Sequence, residues 1–354
     1  MKILFIACKY DYGKPELGFS FEYYNFYNSL VKMNNGGNKI IFFPFDETKT
    51  ELGSDQMNHN LLETINKEKP DLSFFFLQED QIKKETIKKI TDSKKTITLN
   101  WFADDKWRFE SFTKHWAPLF NWVSTDQYSA LKDYVKIGYK NVVVGGLACN
   151  HFLYKPLNLS KIYDVTFVGQ PHSDRKKIVD KIRRAGIKIE CFGRGWPRGK
   201  VSQEEMIKIF NQSKINLNFS ACSGKVSFLK GVGRIFGGRK KGKVEFKDPK
   251  KWLDNFKTFL NRRKNEIKSR NFEIPGCGSF LLTGPAEGLE NYYDLGKEII
   301  CFYNVKDLIN KIRYYLQKDR EREKIAAAGY KRTMRDHTYE KRFNKIFKII
   351  GLKQ

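Results

Sequence analysis

Residues 270–283 read RNFEIPGCGSFLLT, and the rest of the chain is organised around them. A charged, helix-prone run at 265–269 leads in. Glu273 follows an aromatic residue, then come Pro275, Gly276, Cys277 and Gly278, and after them the apolar strand Phe280, Leu281, Leu282. A helical turn, glycines and a buried strand in such a short space make a helix–loop–strand junction. A junction of this kind aims backbone N–H groups and a carboxylate at one ligand. Gly276 and Gly278 let the backbone approach that ligand, or a neighbouring segment, closely.

Outward from this stretch the pattern is one of strands alternating with helices. Upstream, apolar runs at 2–8, 39–45, 71–77, 96–102, 121–124 and 141–144 read as six strands. Helical spacing at 19–33, 61–67, 81–90 and 127–137 falls between them. The stripe of Phe19, Tyr23, Phe26, Tyr27 and Leu30 reads as core packing. Residues 145–161 are irregular and read as a linker. The alternation then restarts, with strands at 163–168, 188–192, 215–219, 280–282 and 298–302. Helices at 174–185, 202–211, 305–317 and 320–328 accompany them, and a last helix follows at 339–350. Ser202 and Glu205 have the spacing of a capping box. Two successive α/β halves with parallel sheets follow from this order. A length of 354 residues, with 40% hydrophobic content, suits two domains.

No run of eighteen apolar residues exists, so no transmembrane helix is expected. The N-terminal MKILFIACKYDYG reads as a first strand, not as a signal peptide. Six cysteines are scattered singly with no CxxC pair. A disulfide framework or zinc site is therefore not expected, and a cytoplasmic setting is. The net charge of +26 favours anionic ligands: nucleotide phosphates, nucleic acid or the inner face of a membrane. AT-rich coding also enriches lysine and is the competing explanation. Residues 225–270 hold 16 Lys or Arg against 4 Asp or Glu. The stretch 225–264 reads as a basic insertion, a mobile glycine-rich loop and then a helix near 252–263.

The chemistry these residues offer is the handling of an anion. Lys268, Arg270 and the amides of Asn271 and Phe272 stand before the short helix, where a phosphate-bearing anion is stabilised. Gly169 ends the strand at 163–168, where a phosphate or base approaches. Arg175 lies in the first turn of the next helix and reads either as a phosphate ligand or as a solvated arginine. Gly193, Gly195 and Trp196 follow another strand end. Asp104 and Asp105 close the fourth strand and are general-base candidates, with N-capping as the alternative. They do not form a DxD metal motif, so no metal is expected. His337 reads as structural; His115 carries no argument, and His151 only a weak one.

The stretches RNFEIPGCGSFLLT, GLENYYDLGKEIICF and DLINKIRYYLQKDREREKIAAAGYKRTMRDHTYEKRF resemble the C-terminal half of CgeB-like glycosyltransferases. NWFADDKWRF and FNWVSTD resemble that family's N-terminal half, so the likeness covers most of the chain and breaks at about 222–264. It implies the GT-B type of α/β fold, with two Rossmann-like domains whose parallel sheets face a central cleft. On this reading 1–150 binds the acceptor, and 151–338 binds the nucleotide-sugar donor and carries the insertion. The helix 339–354 crosses back toward the first domain. The resemblance places Glu273 on the ribose hydroxyls and the Gly193–Trp196 turn against the nucleotide; a carboxylate beside the helix dipole is the alternative for Glu273. Many retaining relatives have a second Glu eight residues before the first, where this chain has Asn265, with Glu266 one position off. The implied activity is metal-independent transfer of a sugar from a nucleotide-sugar co-substrate, with no cofactor. The acceptor is a glycan, protein or lipid-linked molecule, expected to be anionic, with peripheral membrane association. The alternatives are a non-catalytic nucleic-acid-binding protein using the basic insertion, and a glycosyltransferase acting on DNA.

Overall fold

The computed structural model describes residues 1–33, 37–221, 237–240, 243–246, 248–249, 252–261 and 264–352. The chain divides into two units. The first is Met1–Gly146 with Tyr339–Gln354, and the second is Leu147–Thr338.

In the first unit, β1 (Lys2–Ala7), β2 (Lys39–Pro44), β3 (Leu72–Phe75), β4 (Ile97–Phe102), β5 (Trp122–Thr125) and β6 (Val142–Val144) form one sheet. All neighbours are parallel, in the order β2-β1-β3-β4-β5-β6. The strands are apolar throughout because both faces are covered. Leu4, Ile6, Phe75 and Phe102 pack on one side with Leu61, Ile65, Ile87 and Ile90. On the other side Phe26 and Phe74 meet Tyr339 and Phe343 of the last helix, Tyr339–Ile349.

The second unit has β7 (Tyr163–Val168), β8 (Ile189–Phe192), β9 (Ser213–Asn218), then a short hairpin of β10 (Gly237–Lys240) and β11 (Lys243–Phe246). β12 (Leu281–Thr283) and β13 (Ile300–Cys301) follow. Its main sheet is parallel, in the order β13-β12-β9-β7-β8. Val165, Phe167, Leu217 and Leu282 pack with Val179, Ile182, Leu308 and Ile312. The capping box forms as the spacing suggests: Ser202 Oγ accepts from Glu205 N at 3.1 Å, and Glu205 Oε2 from Ser202 N at 2.8 Å.

Three stretches differ from the sequence reading. Helix Phe45–Glu68 starts well before position 61 and bends at Gly53, whose φ is 81°. Short helical turns fill Asp105–Leu119, a stretch the sequence left unassigned. The basic insertion contains the β10–β11 hairpin, and then a helix at Trp252–Asn261. Of its expected glycine-rich start, 225–236 lies outside the described residues, while Gly237 and Gly238 fall in β10. No described helix is long and apolar enough to cross a membrane.

Candidate functional site

In the second sheet the connections leave β7 in opposite directions, so β7 and β9 flank a switch point, the place where open α/β sheets bind ligands. The helix Arg270–Gly276 begins there. Arg270 Nε donates to Val168 O at the end of β7 (3.4 Å), and Asn218 Nδ2 at the end of β9 donates to Asn271 Oδ1 (3.3 Å). Asn271 also accepts from Lys268 N at 2.9 Å and donates to Thr283 Oγ1 at 3.1 Å. This fully buried amide therefore ties the helix start to β9 and β12.

Glu273 points inward. The residue is fully buried; Oε1 accepts from Tyr154 Oη at 2.8 Å, and Oε2 is paired with Arg270. Burial works against the charge of Arg270, but the Glu273 carboxylate outweighs it and holds the guanidinium above its ordinary range. Arg270 keeps 24% of its side chain exposed and lies 5.5 Å over the Phe210 ring. Burial and the same carboxylate push the Tyr154 hydroxyl up. Phe272 and Gly276 are buried too. A Cβ at Gly276 would stand 2.3 Å from Cys149 Sγ, so this glycine serves close packing against the 147–154 segment. Gly278 has a φ of +65°, the turn into β12.

Two further strand-end loops meet at this edge. A Cβ at Gly193 (φ +131°) would lie 2.6 Å from Gly169 O, and Trp196 Nε1 donates to the same carbonyl at 2.8 Å. Trp196 is itself buried, so the Gly193–Gly195 turn with its tryptophan clasps the loop after β7. Arg175 is neither solvated nor exposed to a ligand. Its guanidinium donates to Gln170 O (3.0 Å), Phe219 O (3.1 Å) and Ala221 O (3.3 Å), which joins the loops after β7 and β9. Lys268 is paired with buried Glu266 at 2.6 Å. Asn265, an exposed amide, pairs with Ala221, and Glu266 is buried against Lys268, so no exposed second carboxylate stands there. No motif singles out Tyr154 or His172 as a site residue. Partial burial, with the charges of Arg175 and Lys268, holds His172 below its usual range, a sign of positive potential at this edge.

Asp104 and Asp105 belong to the first unit. The Asp126 carboxylate accepts from both of their backbone N–H groups, at 3.0 and 3.2 Å. Asp105 is fully buried and accepts from Tyr134 Oη at 2.7 Å. Burial raises it to about 6 against hydrogen bonds from Thr113, Tyr134 and Thr125. Asp104 is half-buried with φ +56°. His337 is buried and its Nε2 lies 2.6 Å from Tyr292 O, while His151 packs tilted against the Phe152 ring.

Residues 175–348 match the glycosyl transferase-like family. The spore protein CgeB of Bacillus subtilis is 24% identical over 62% of this chain and 64% of its own length, less than two thirds of that protein. Among solved structures, Anabaena Alr3699/HepE in complex with UDP-glucose superposes with a TM-score of 0.62 at 10% identity over 99% of both chains. Sucrose-phosphate synthase from Thermosynechococcus elongatus superposes at 0.63 with 9% identity, over 99% of this chain and 98% of that one. The fold is that of these GT-B structures, and the chain is similar to CgeB, with residues 175–348 matching the glycosyl transferase-like family.

Proposed function

We propose that the chain is a nucleotide-sugar-dependent glycosyltransferase whose second unit holds the donor. The observation that carries this is the convergence of Arg270, Glu273, Gly169 and the Trp196 turn at the β7/β9 switch point. Arg270 and Lys268 supply positive charge there, which suits a diphosphate leaving group without a metal. In this conformation Arg270 is held by Glu273. A bound diphosphate offers the guanidinium a second, more highly charged partner. When Arg270 turns to it, Oε2 of Glu273 is released to accept the vicinal ribose hydroxyls. The complex of HepE with UDP-glucose makes that nucleotide-sugar the first donor to test.

The first unit presents the acceptor on this reading. Asp104 is the better base of its pair, because Asp105 is sealed beneath Tyr134. One observation favours a membrane-surface role besides. On the helix Trp252–Asn261, Leu253, Phe256 and Leu260 are 64%, 43% and 45% exposed, an apolar stripe inside the most basic part of the chain.

Thermal unfolding with UDP tests the donor site. A ligand at a hundred times its dissociation constant stabilises by about 2.7 kcal/mol. Glu273→Gln and Arg270→Gln, each compared with its own ligand-free melting curve, are expected to lose at least ten-fold in UDP affinity. Wild-type affinity in both variants would refute the placement.

A further inference from the structure

The first unit carries a cavity of about 480 Å³ at the carboxyl ends of β1 and β3. In the order β2-β1-β3 the chain leaves β1 toward opposite sides, so this is the switch point of the first sheet, as the β7/β9 edge is of the second. The sequence motifs do not mark it, because its walls come from the loops after three different strands.

Its chemistry is opposite to that of the chain as a whole. The chain carries a net +26, yet Asp11, Glu22, Asp46 and Glu79 line the cavity against Lys49. Two of the carboxylates are built in. Glu22 is 7% exposed and takes Gln78 Nε2 on Oε1 at 2.8 Å. Asp46 is as deeply buried and accepts the backbone N–H groups of Lys9 and Tyr10 at 2.8 and 2.9 Å, which fixes the loop after β1. Tyr10, Phe21, Phe45 and Phe76 line it as well. Aromatic faces against ring C–H groups and carboxylates against hydroxyls are what a sugar ring asks of a pocket. A phosphate would enter a field of its own sign, and like charges brought together across an interface select against a partner.

We propose that this cavity is the acceptor site and that it admits a sugar which is uncharged or carries an amino group, excluding phosphorylated sugars. Glu22, oriented by Gln78, is the hydrogen-bond acceptor for a substrate hydroxyl. The proposal rests on the glycosyltransferase reading and replaces the anionic acceptor that net charge suggested. The basic segment 225–270 then attracts something other than the sugar acceptor.

Calorimetric titration of the full chain with neutral monosaccharides, glucosamine and glucose 6-phosphate tests this, with UDP titrated in parallel. Neutral sugars or glucosamine are expected to bind at least ten-fold more tightly than glucose 6-phosphate. Glu79→Lys, at an exposed rim position, is expected to narrow that ratio, and Glu22→Gln to weaken sugar binding ten-fold or more. UDP affinity should stay unchanged in both variants. Equal or tighter binding of glucose 6-phosphate to the wild type overturns the proposal, as does an absence of sugar binding while UDP still binds. Loss of UDP binding by the wild type would instead remove the donor reading beneath it.

Discussion

Single residues show how far chemical type and surroundings diverge. Glu273 was legible as a carboxylate in a ligand-facing motif. Its burial was not, because the hydroxyl that covers it belongs to Tyr154, 119 positions away in the chain. Arg175 likewise reads as a surface cation until three carbonyls are found around it. Glu22 offers a test at this scale. Burial, with the charges of Asp11 and Asp46, raises it from 4.5 to about 7, against hydrogen bonds from its own backbone and Ser20. Glu79, Lys49, the thiol of Cys8 and the phenols of Tyr10 and Tyr12 are the other titratable groups lining the same cavity. Between pH 4.5 and 7 the folded chain holds a proton that the unfolded chain has released. Stability from this group is thus present at low pH and lost as pH rises through 7. Glu22→Gln lacks this dependence. Its melting temperature relative to the wild type should therefore climb between pH 5 and pH 8; a constant difference would contradict the burial argument.

At the scale of elements, the strands were the most legible feature. Strands of a doubly covered parallel sheet are apolar on both faces, so runs such as KILFIA and YDVTFV declare themselves without periodicity. Helices lacking an apolar stripe did not. The helix Phe45–Glu68 is largely polar and bent at a glycine, and the turns over Asp105–Leu119 are rich in aromatics without helical spacing. The cavity was invisible for a different reason: position 22 precedes β2, position 46 follows it and position 79 follows β3, so no local pattern links them. The helix Trp252–Asn261 carries its own prediction. Burying a large apolar side chain contributes about 1.5–3 kcal/mol. Replacing Leu253, Phe256 and Leu260 together by serine should lower partition onto vesicles containing phosphatidylglycerol by at least ten-fold, as read by sedimentation. UDP affinity should not change. Undiminished partition of the triple variant would assign vesicle binding, if any, to charge alone.

Over the whole molecule, two parallel sheets each bring a switch point to the carboxyl ends of their strands, and the two edges differ in sign. Arg270 and Lys268 gather at the second sheet's edge; Asp11, Glu22, Asp46 and Glu79 gather at the first. On the proposed reading, the cationic edge suits the diphosphate of a donor and the anionic edge suits a hydroxyl-bearing acceptor. The central claim is that the chain turns over a nucleotide-sugar with its own cations in place of a metal. The most direct measurement is release of UDP from UDP-glucose, and from other UDP-sugars, by the full chain in EDTA, with and without a neutral sugar acceptor. The account predicts UDP release from at least one donor in EDTA, accelerated by the acceptor and reduced at least ten-fold by Arg270→Gln. UDP release that vanishes in EDTA and returns with Mg²⁺ or Mn²⁺, or that Arg270→Gln leaves unchanged, would contradict it.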